Sequence, residues 1–197
     1  MGTRGLMAFA RNGEVKAFYN HFDSYPSGLG EEMVKWVLNR QGDFSEAIEQ
    51  FEMLVAVSED VPPTTDQKLA LLRYLNLNVS TQTSDDWYSL LRETQGNPVE
   101  ALKAGFYVDY FKFGFDSLFC EWAYVVDLDR QVLDVYKGFA NTSDGKGLWG
   151  TQDKPYVAYD GTEYTGVQLL TSYAFADLTK ESMQELEAKL DAEEEDE

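Results

Sequence analysis

The sequence is poor in the residues that build metal centres and disulfides. Cys120 is the single cysteine and His21 the single histidine in 197 residues, which excludes an intramolecular disulfide and a cysteine-built zinc site. No stretch of about 18 apolar residues is present, so we expect no membrane span. The opening residues, MGTRGLMAFARNGE, lack the apolar segment of a signal peptide. We therefore expect a cytoplasmic protein.

Motifs for common cofactors and catalytic centres are also absent. No P-loop, G-x-G-x-x-G, H-E-x-x-H or G-x-S-x-G pattern occurs. The sequence therefore predicts neither a metal nor a cofactor.

Basic residues are scarce, with 16 against 35 acidic residues and a net charge of −19. Residues 181–197 carry nine acids and one lysine, but the remaining body is still acidic, at −11. Such a surface repels phosphates and anionic lipids, which argues against direct nucleic-acid binding and against membrane association. It also leaves open a nucleic-acid mimic, which would present acids where a duplex presents phosphates.

The N-terminal residues LMAFARNGEVKAFYNHF predict a β-hairpin. Strand-like residues flank Asn12-Gly13, a pair that favours a two-residue hairpin turn. The turn sets residue 11 against residue 14, so residue 4 falls opposite residue 21. Both faces of the hairpin carry apolar residues, which is typical of a strand pair inside a sheet.

The rest of the chain predicts an α+β fold with an antiparallel sheet built from the N-terminal hairpin and C-terminal strands. The middle third reads as helices, with one helix running through DFSEAIEQFEMLVAVSED. LFCEWAYVVDLD and VLDVYKGF form a second hairpin in which Cys120 shares a face with Trp122 and Tyr124. We expect a single domain over residues 1–178. Residues 179–197 form a C-terminal helix running into a disordered acidic tail from Glu193 onward.

Polar side chains gather where the second strand ends, in YNHFDSYP. The predicted register brings Arg4 to His21, and Asp23 follows two residues later. A guanidinium, an imidazole and a carboxylate at one end of a sheet could bind a phosphate or a carboxylate. The alternative is structural, since Asp and Ser before Pro are ordinary turn residues.

A carboxylate in the downstream strand is the second unusual feature. Glu121 lies inside an apolar run and needs a partner if it is buried. Arg4 or His21 would be that partner if the two hairpins are neighbours. Cys120 is expected to be an inert core residue rather than a nucleophile.

Two sets of site residues follow from these patterns. If the protein is a hydrolase or a transferase, His21 is the general acid or base, Asp23 orients it, and Glu121 lies opposite. The ligand-binding candidates are Arg4, Asn20, Tyr25 and Trp122.

The segments MGTRG, RNG and YNHFDSYPSGLG, followed downstream by SLFCEWAYVVDLD and VYKGF, resemble a family of proteins from actinobacterial phages and their hosts. More distant fungal proteins have a similar opening and a similar E-W-x-Y-x-x-x-L-D strand. The likeness spans roughly residues 1–140 and draws attention to the same polar residues. The family lends no activity. If the chain is encoded by a phage, its location would be the host cytoplasm.

A fainter likeness is to N-terminal nucleophile hydrolases and class II amidotransferase domains, which also begin with a strand hairpin. Removal of the initiator methionine would expose Gly2, which has no nucleophile, and Thr3 comes one place too late. This resemblance therefore implies a related fold and not the activity.

Three functions remain open on the sequence alone. The first is a non-catalytic binding or interaction protein, of the phage-accessory type, with a host protein or a small anionic ligand as its partner. The second is a small-molecule hydrolase or transferase. The third is a nucleic-acid mimic. The absence of a catalytic motif favours the first.

Overall fold

A computed structural model describes residues 2–150, 156–159 and 161–195 of the chain. Its helices are α1 (Glu31–Asn39), α2 (Ser45–Met53), α3 (Thr65–Leu71), α4 (Trp87–Leu90), α5 (Pro98–Lys103) and α6 (Ser182–Glu195). Its strands are β1 (Gly5–Arg11), β2 (Glu14–Asn20), β3 (Val55–Val57), β4 (Phe106–Val108), β5 (Trp122–Asp127), β6 (Val132–Lys137), β7 (Tyr156–Val157), β8 (Glu163–Tyr164) and β9 (Gln168–Ala174). The fold is α+β, as the sequence predicts.

The main sheet in the described part of the chain has five strands in the order β2-β1-β5-β6-β9. Its N-terminal hairpin has the predicted register, with Arg11 opposite Glu14 and Gly5 opposite Asn20. Both turn residues have positive φ, 51° at Asn12 and 78° at Gly13, which a tight hairpin turn of this kind requires. The turn therefore fixes which residues reach the far end of the hairpin.

One pair of neighbouring strands is parallel in this mostly antiparallel sheet. β1 runs parallel to β5, and Gly5 lies opposite Trp122. The residues just before these two are joined by their backbones, because the Glu121 amide donates to the Arg4 carbonyl at 3.0 Å. This pairing brings the two hairpins together and sets Arg4 beside Glu121.

Side chains leave the two faces of the sheet alternately and enter two cores. One face packs against α1, α2, α5 and α6, and its core includes Met7, Phe9, Tyr124 and Val126. The other face is covered by the turn Phe111–Phe115 and by Trp149. The sheet is therefore the middle of three layers.

The middle third contains strands that the helical prediction did not include. α2 ends at Met53, and Val55–Val57 form β3, which pairs in parallel with β4. The predicted single helix through this segment is wrong at its C-terminal end, where two β-branched valines favour extended backbone. A small core around Leu71 and Trp87 supports this part of the chain.

The C-terminal helix packs its apolar side chains onto the main core. Met183 and Leu186 are buried there, and the Ser182 hydroxyl accepts from the Thr179 amide at 2.9 Å. α6 continues to Glu195, beyond the Glu193 at which the sequence predicts the tail to begin. The last two residues of the predicted tail, 196–197, lie outside the described residues. Within the described ranges, none of the helices is long and apolar enough to span a membrane.

Candidate functional site

The candidate site is an open cleft at the end of the N-terminal hairpin, which we call the His21 cleft. Its volume is about 330 Å³, and it is lined by Gly2, Arg4, His21, Leu118, Phe119, Glu121 and Phe139. Arg4, His21 and Glu121 therefore share one cavity, and the carboxylate in it belongs to Glu121 rather than to Asp23, the carboxylate predicted beside His21. Arg4 directly precedes β1, His21 directly follows β2, and Glu121 directly precedes β5. The ends of these three strands therefore position the three side chains.

The imidazole of His21 is held from one side by a neighbouring phenol. Its Nδ1 lies 2.8 Å from the Tyr19 hydroxyl. Burial, followed by the proximity of Tyr88, raises the pKa of Tyr19, so the phenol keeps its proton. We therefore assign Tyr19 as the donor and place the imidazole proton on Nε2. In the part of the chain that the structure describes, Nε2 makes no hydrogen bond and is free to donate to a ligand.

The guanidinium of Arg4 is positioned by an aromatic ring. It lies 5.4 Å from the centroid of the Phe119 ring, and no carboxylate oxygen of the described residues is within 4 Å of it. Glu121, in the same cleft, is tied to the backbone instead, since its Oε1 accepts from the Arg4 amide at 3.3 Å. The cleft therefore contains a cation whose charge is not neutralised by direct pairing.

Two phenylalanines form an apolar rim around these polar groups. Phe119 is 41% exposed and Phe139 is 54% exposed. Phe139 has a φ of +57°, a left-handed conformation that is costly for a bulky residue and that often marks functional sites. Its amide donates to the Ser117 carbonyl at 2.7 Å, which fixes the strained turn beside the cleft.

Asp23 lies at a different cavity, of about 370 Å³, which Asn20, Gly28 and Glu32 also border. The chain turns at Asp23, where φ is +54°, and the charge of its carboxylate raises the pKa of Tyr25. The structure therefore does not bring Asp23 into the His21 cleft, and Tyr19 takes the place predicted for it beside the imidazole.

The predicted ligand-binding residues Asn20 and Tyr25 also lie outside the His21 cleft. Asn20 is buried, and its amide donates to the Ser24 hydroxyl at 2.9 Å. This bond holds the loop that follows β2. Tyr25 is 36% exposed, on the side of Asp23. Both residues shape the loop rather than line the cleft.

Trp122 does not line the cleft and packs against the core on the helical side of the sheet. Its ring stacks on Tyr124, with centroids 6.4 Å apart. Cys120 packs with the other core, so the predicted face shared by Cys120, Trp122 and Tyr124 is wrong at Cys120. The reason is that the strand begins at Trp122, and the residues before it do not continue the alternation.

Cys120 is unsuited to act as a nucleophile. Its side chain is fully buried, and burial raises the pKa of the thiol. The thiolate is therefore disfavoured, and a ligand has no access to the sulfur.

Sequence reasoning missed Arg92, which reaches the same region from the middle third. It lines a cavity of about 480 Å³ with His21, Phe22, Val79, Ser80 and Tyr88, which we call the Arg92 cleft. No local signal separates Arg92 from a solvated helical arginine, because its place depends on how residues 87–96 pack against the hairpin. No group of residues suited to hold a metal ion occurs in the described ranges.

The pKa of His21 is the first testable property of the site. Burial lowers it below the usual 6.5, and the charges of Arg92 and then Arg4 lower it further. We expect Arg92→Gln to raise the pKa of His21 more than Arg4→Gln does. A proton NMR titration measures this directly, since His21 gives the only histidine signal.

The same shift has a defined effect on stability. Because the folded-state pKa is the lower one, the unfolded chain takes up the proton first as pH falls through 6.5. The free energy of unfolding should therefore lose a contribution below that pH and be unaffected by His21 above it. Arg73→Gln, at an arginine outside both clefts, is the control. A His21 pKa at or above 6.5 that neither Arg92→Gln nor Arg4→Gln changes would contradict this account of the site.

Comparison of the chain with protein-family models, with curated proteins and with solved structures finds no match to any of them. The resemblance to phage and actinobacterial proteins therefore stays a prediction. The function is therefore inferred from the geometry of the cleft.

Proposed function

We propose that this protein is a non-catalytic binding protein that holds a small anionic ligand in the His21 cleft. One observation carries the proposal: Arg4 and His21 line a shared cavity together with two exposed phenyl rings. Guanidinium and imidazole donors form charge-assisted hydrogen bonds to a carboxylate or a phosphate.

Each part of the lining suits a different part of such a ligand. Arg4 pairs with the anionic group, and His21 donates a second hydrogen bond to it. Phe119 and Phe139 contact an apolar portion, which would lose its water on binding. Glu121 repels the anion unless the ligand also carries a donor, so it selects for a hydroxyl or an amine near the charge.

Binding explains the lining better than covalent catalysis does. Among the residues that the structure describes, the side chains lining the cleft supply a guanidinium, an imidazole, a carboxylate and apolar groups, and none of them supplies a hydroxyl or thiol. A hydrolase or transferase working through His21 and Glu121 on a bound water is the alternative. A phage-accessory role and a nucleic-acid mimic stay predictions from the sequence.

Titration with simple anions tests the proposal. We expect benzoate and phenyl phosphate to shift the His21 NMR signal at millimolar concentration and to bind more tightly than acetate or inorganic phosphate, because of the phenyl rim. Arg4→Gln should weaken benzoate binding by about tenfold or more, since a charge-assisted hydrogen bond is lost.

Matched variants separate binding from catalysis. Arg73→Gln removes an arginine that pairs with Glu100 at 2.9 Å, and it should leave benzoate affinity unchanged. Glu121→Gln should strengthen anion binding severalfold, because it removes the opposing charge. No shift with any of the four anions would overturn the proposal. If the protein releases phenol from phenyl phosphate and Glu121→Gln abolishes that release, the result would favour the hydrolase or transferase alternative.

A further inference from the structure

The two arginines near His21 differ from the other arginines in what they contact. The chain has six arginines. Within the described ranges, four of them place a guanidinium nitrogen within 4 Å of a carboxylate oxygen: Arg11, Arg40, Arg73 and Arg130. Arg4 and Arg92 have no such partner there. In a chain with 35 acids and 16 bases, this pair of guanidiniums marks a place where a ligand can supply the negative charge.

Arg4 and Arg92 lie in two clefts that share one wall. His21 lines both the His21 cleft, which contains Arg4, and the Arg92 cleft. The Phe22 ring lies 4.3 Å from the imidazole and 5.6 Å from the Arg92 guanidinium, which connects the two cavities. The two clefts therefore adjoin at His21, with Arg4 in one and Arg92 in the other.

Both guanidiniums are held in place by neighbouring side chains before a ligand binds. Arg92 lies over the Phe22 ring and donates from Nη1 to the Gln95 side-chain oxygen at 2.8 Å. Arg4 lies over the Phe119 ring in the same manner. A guanidinium has five N–H donors, so each keeps donors for a ligand. Ring stacking reduces the side-chain freedom that binding would otherwise have to remove.

We infer that the ligand of this site carries two anionic groups, one paired with Arg4 and the other with Arg92, joined by a spacer that passes His21. This inference rests on the proposed function, because the first anionic group occupies the His21 cleft. The ligand class is an extended dianion, either a dicarboxylate or a bisphosphate. A single compact anion reaches one of the two cations and leaves the other unpaired.

A series of ligands of graded length tests the inference on the full chain. Linear dicarboxylates of increasing length are titrated against monocarboxylates of the same length, with the His21 NMR signal as the readout. We expect one length to bind about tenfold more tightly than its monocarboxylate, or better, because a second charge-assisted contact forms. Alkanediol bisphosphates of the same lengths show which anionic group is preferred.

Single variants assign the second contact. Arg92→Gln should remove the advantage of the dicarboxylate and leave monocarboxylate affinity within about twofold. Arg4→Gln should weaken both ligands, and Arg73→Gln neither. Thermal unfolding of each variant verifies that it is folded.

The outcomes distinguish the two proposals. If mono- and dicarboxylates bind equally at every length, or if Arg92→Gln leaves a dicarboxylate advantage intact, the inference is overturned and the proposed function stands. If neither kind of ligand moves the His21 signal, both are overturned.

Discussion

Replacing Trp149 by alanine is expected to lower the free energy of unfolding by about 3 to 5 kcal/mol, the usual loss for a large buried ring. The side chain is fully buried in the layer opposite the helices. Its Nε1 donates to the Phe111 carbonyl at 2.8 Å, and its ring lies 5.2 Å from Phe111 and 4.9 Å from Tyr136. The substitution removes all of these contacts together.

The cavity left by Trp149 cannot close easily. The indole fills space left by a glycine, because a Cβ at Gly114 would lie 2.4 Å from the ring. Backbone that is shaped around a ring does not move inward readily when the ring is gone. The loss should therefore fall at the upper end of the range.

Chemical denaturation monitored by circular dichroism measures this effect. Tyr159→Ala, at a fully exposed aromatic residue, is the control and should change stability by less than about 0.5 kcal/mol. A loss below about 1 kcal/mol for Trp149→Ala would show that this layer does not hold the sheet.

The part of the site that the sequence predicts is the part fixed by local chemistry. Asn12-Gly13 determines the turn, the turn determines the register, and the register carries Arg4 to the level of His21. No distant contact is needed for any of these steps. The same reasoning explains why the hairpin could be assigned from its residues alone.

The remainder of the site depends on contacts between residues far apart in sequence. Alternation along β1 and β5 gives their faces, but not that the two strands run side by side in parallel. Arg92 arrives through the packing of the middle third. Outside the site, Trp149 likewise comes from a loop that composition marks only as polar. These positions follow from tertiary packing, which a pattern within one segment does not contain.

Lys16 shows the same limit inside a correctly predicted strand. A lysine on a strand is expected to face water, but this one is buried. Its Nζ donates to the carbonyls of Phe51 and Leu54 at 2.8 and 3.1 Å. These carbonyls lie at the C-terminal end of α2, where helices leave such groups unpaired. The lysine therefore fastens the helical layer to the hairpin.

Gly5→Ala is expected to lower the free energy of unfolding by about 3 kcal/mol, because the added methyl meets backbone rather than a movable side chain. A Cβ at Gly5 would lie 2.3 Å from the Trp122 carbonyl oxygen and 2.7 Å from the Ser24 Cβ. Gly5 is where β1 and β5 begin to pair, so relief requires the two strands to separate at that end. Chemical denaturation measures the loss.

Gly5→Ala also tests whether the strand pairing builds the site. Separation of β1 from β5 would move Arg4 from Glu121, so benzoate should no longer shift the His21 signal in the folded fraction. Gly2→Ala is the matched control for stability alone, because Gly2 lines the cleft; its methyl would overlap the Phe22 ring at 2.3 Å, and Phe22 is half exposed and able to turn aside. We expect the control to change stability by less than about 0.5 kcal/mol. Equal losses in the two variants would mean that close approach of the strand backbones does not determine where Arg4 and Glu121 meet.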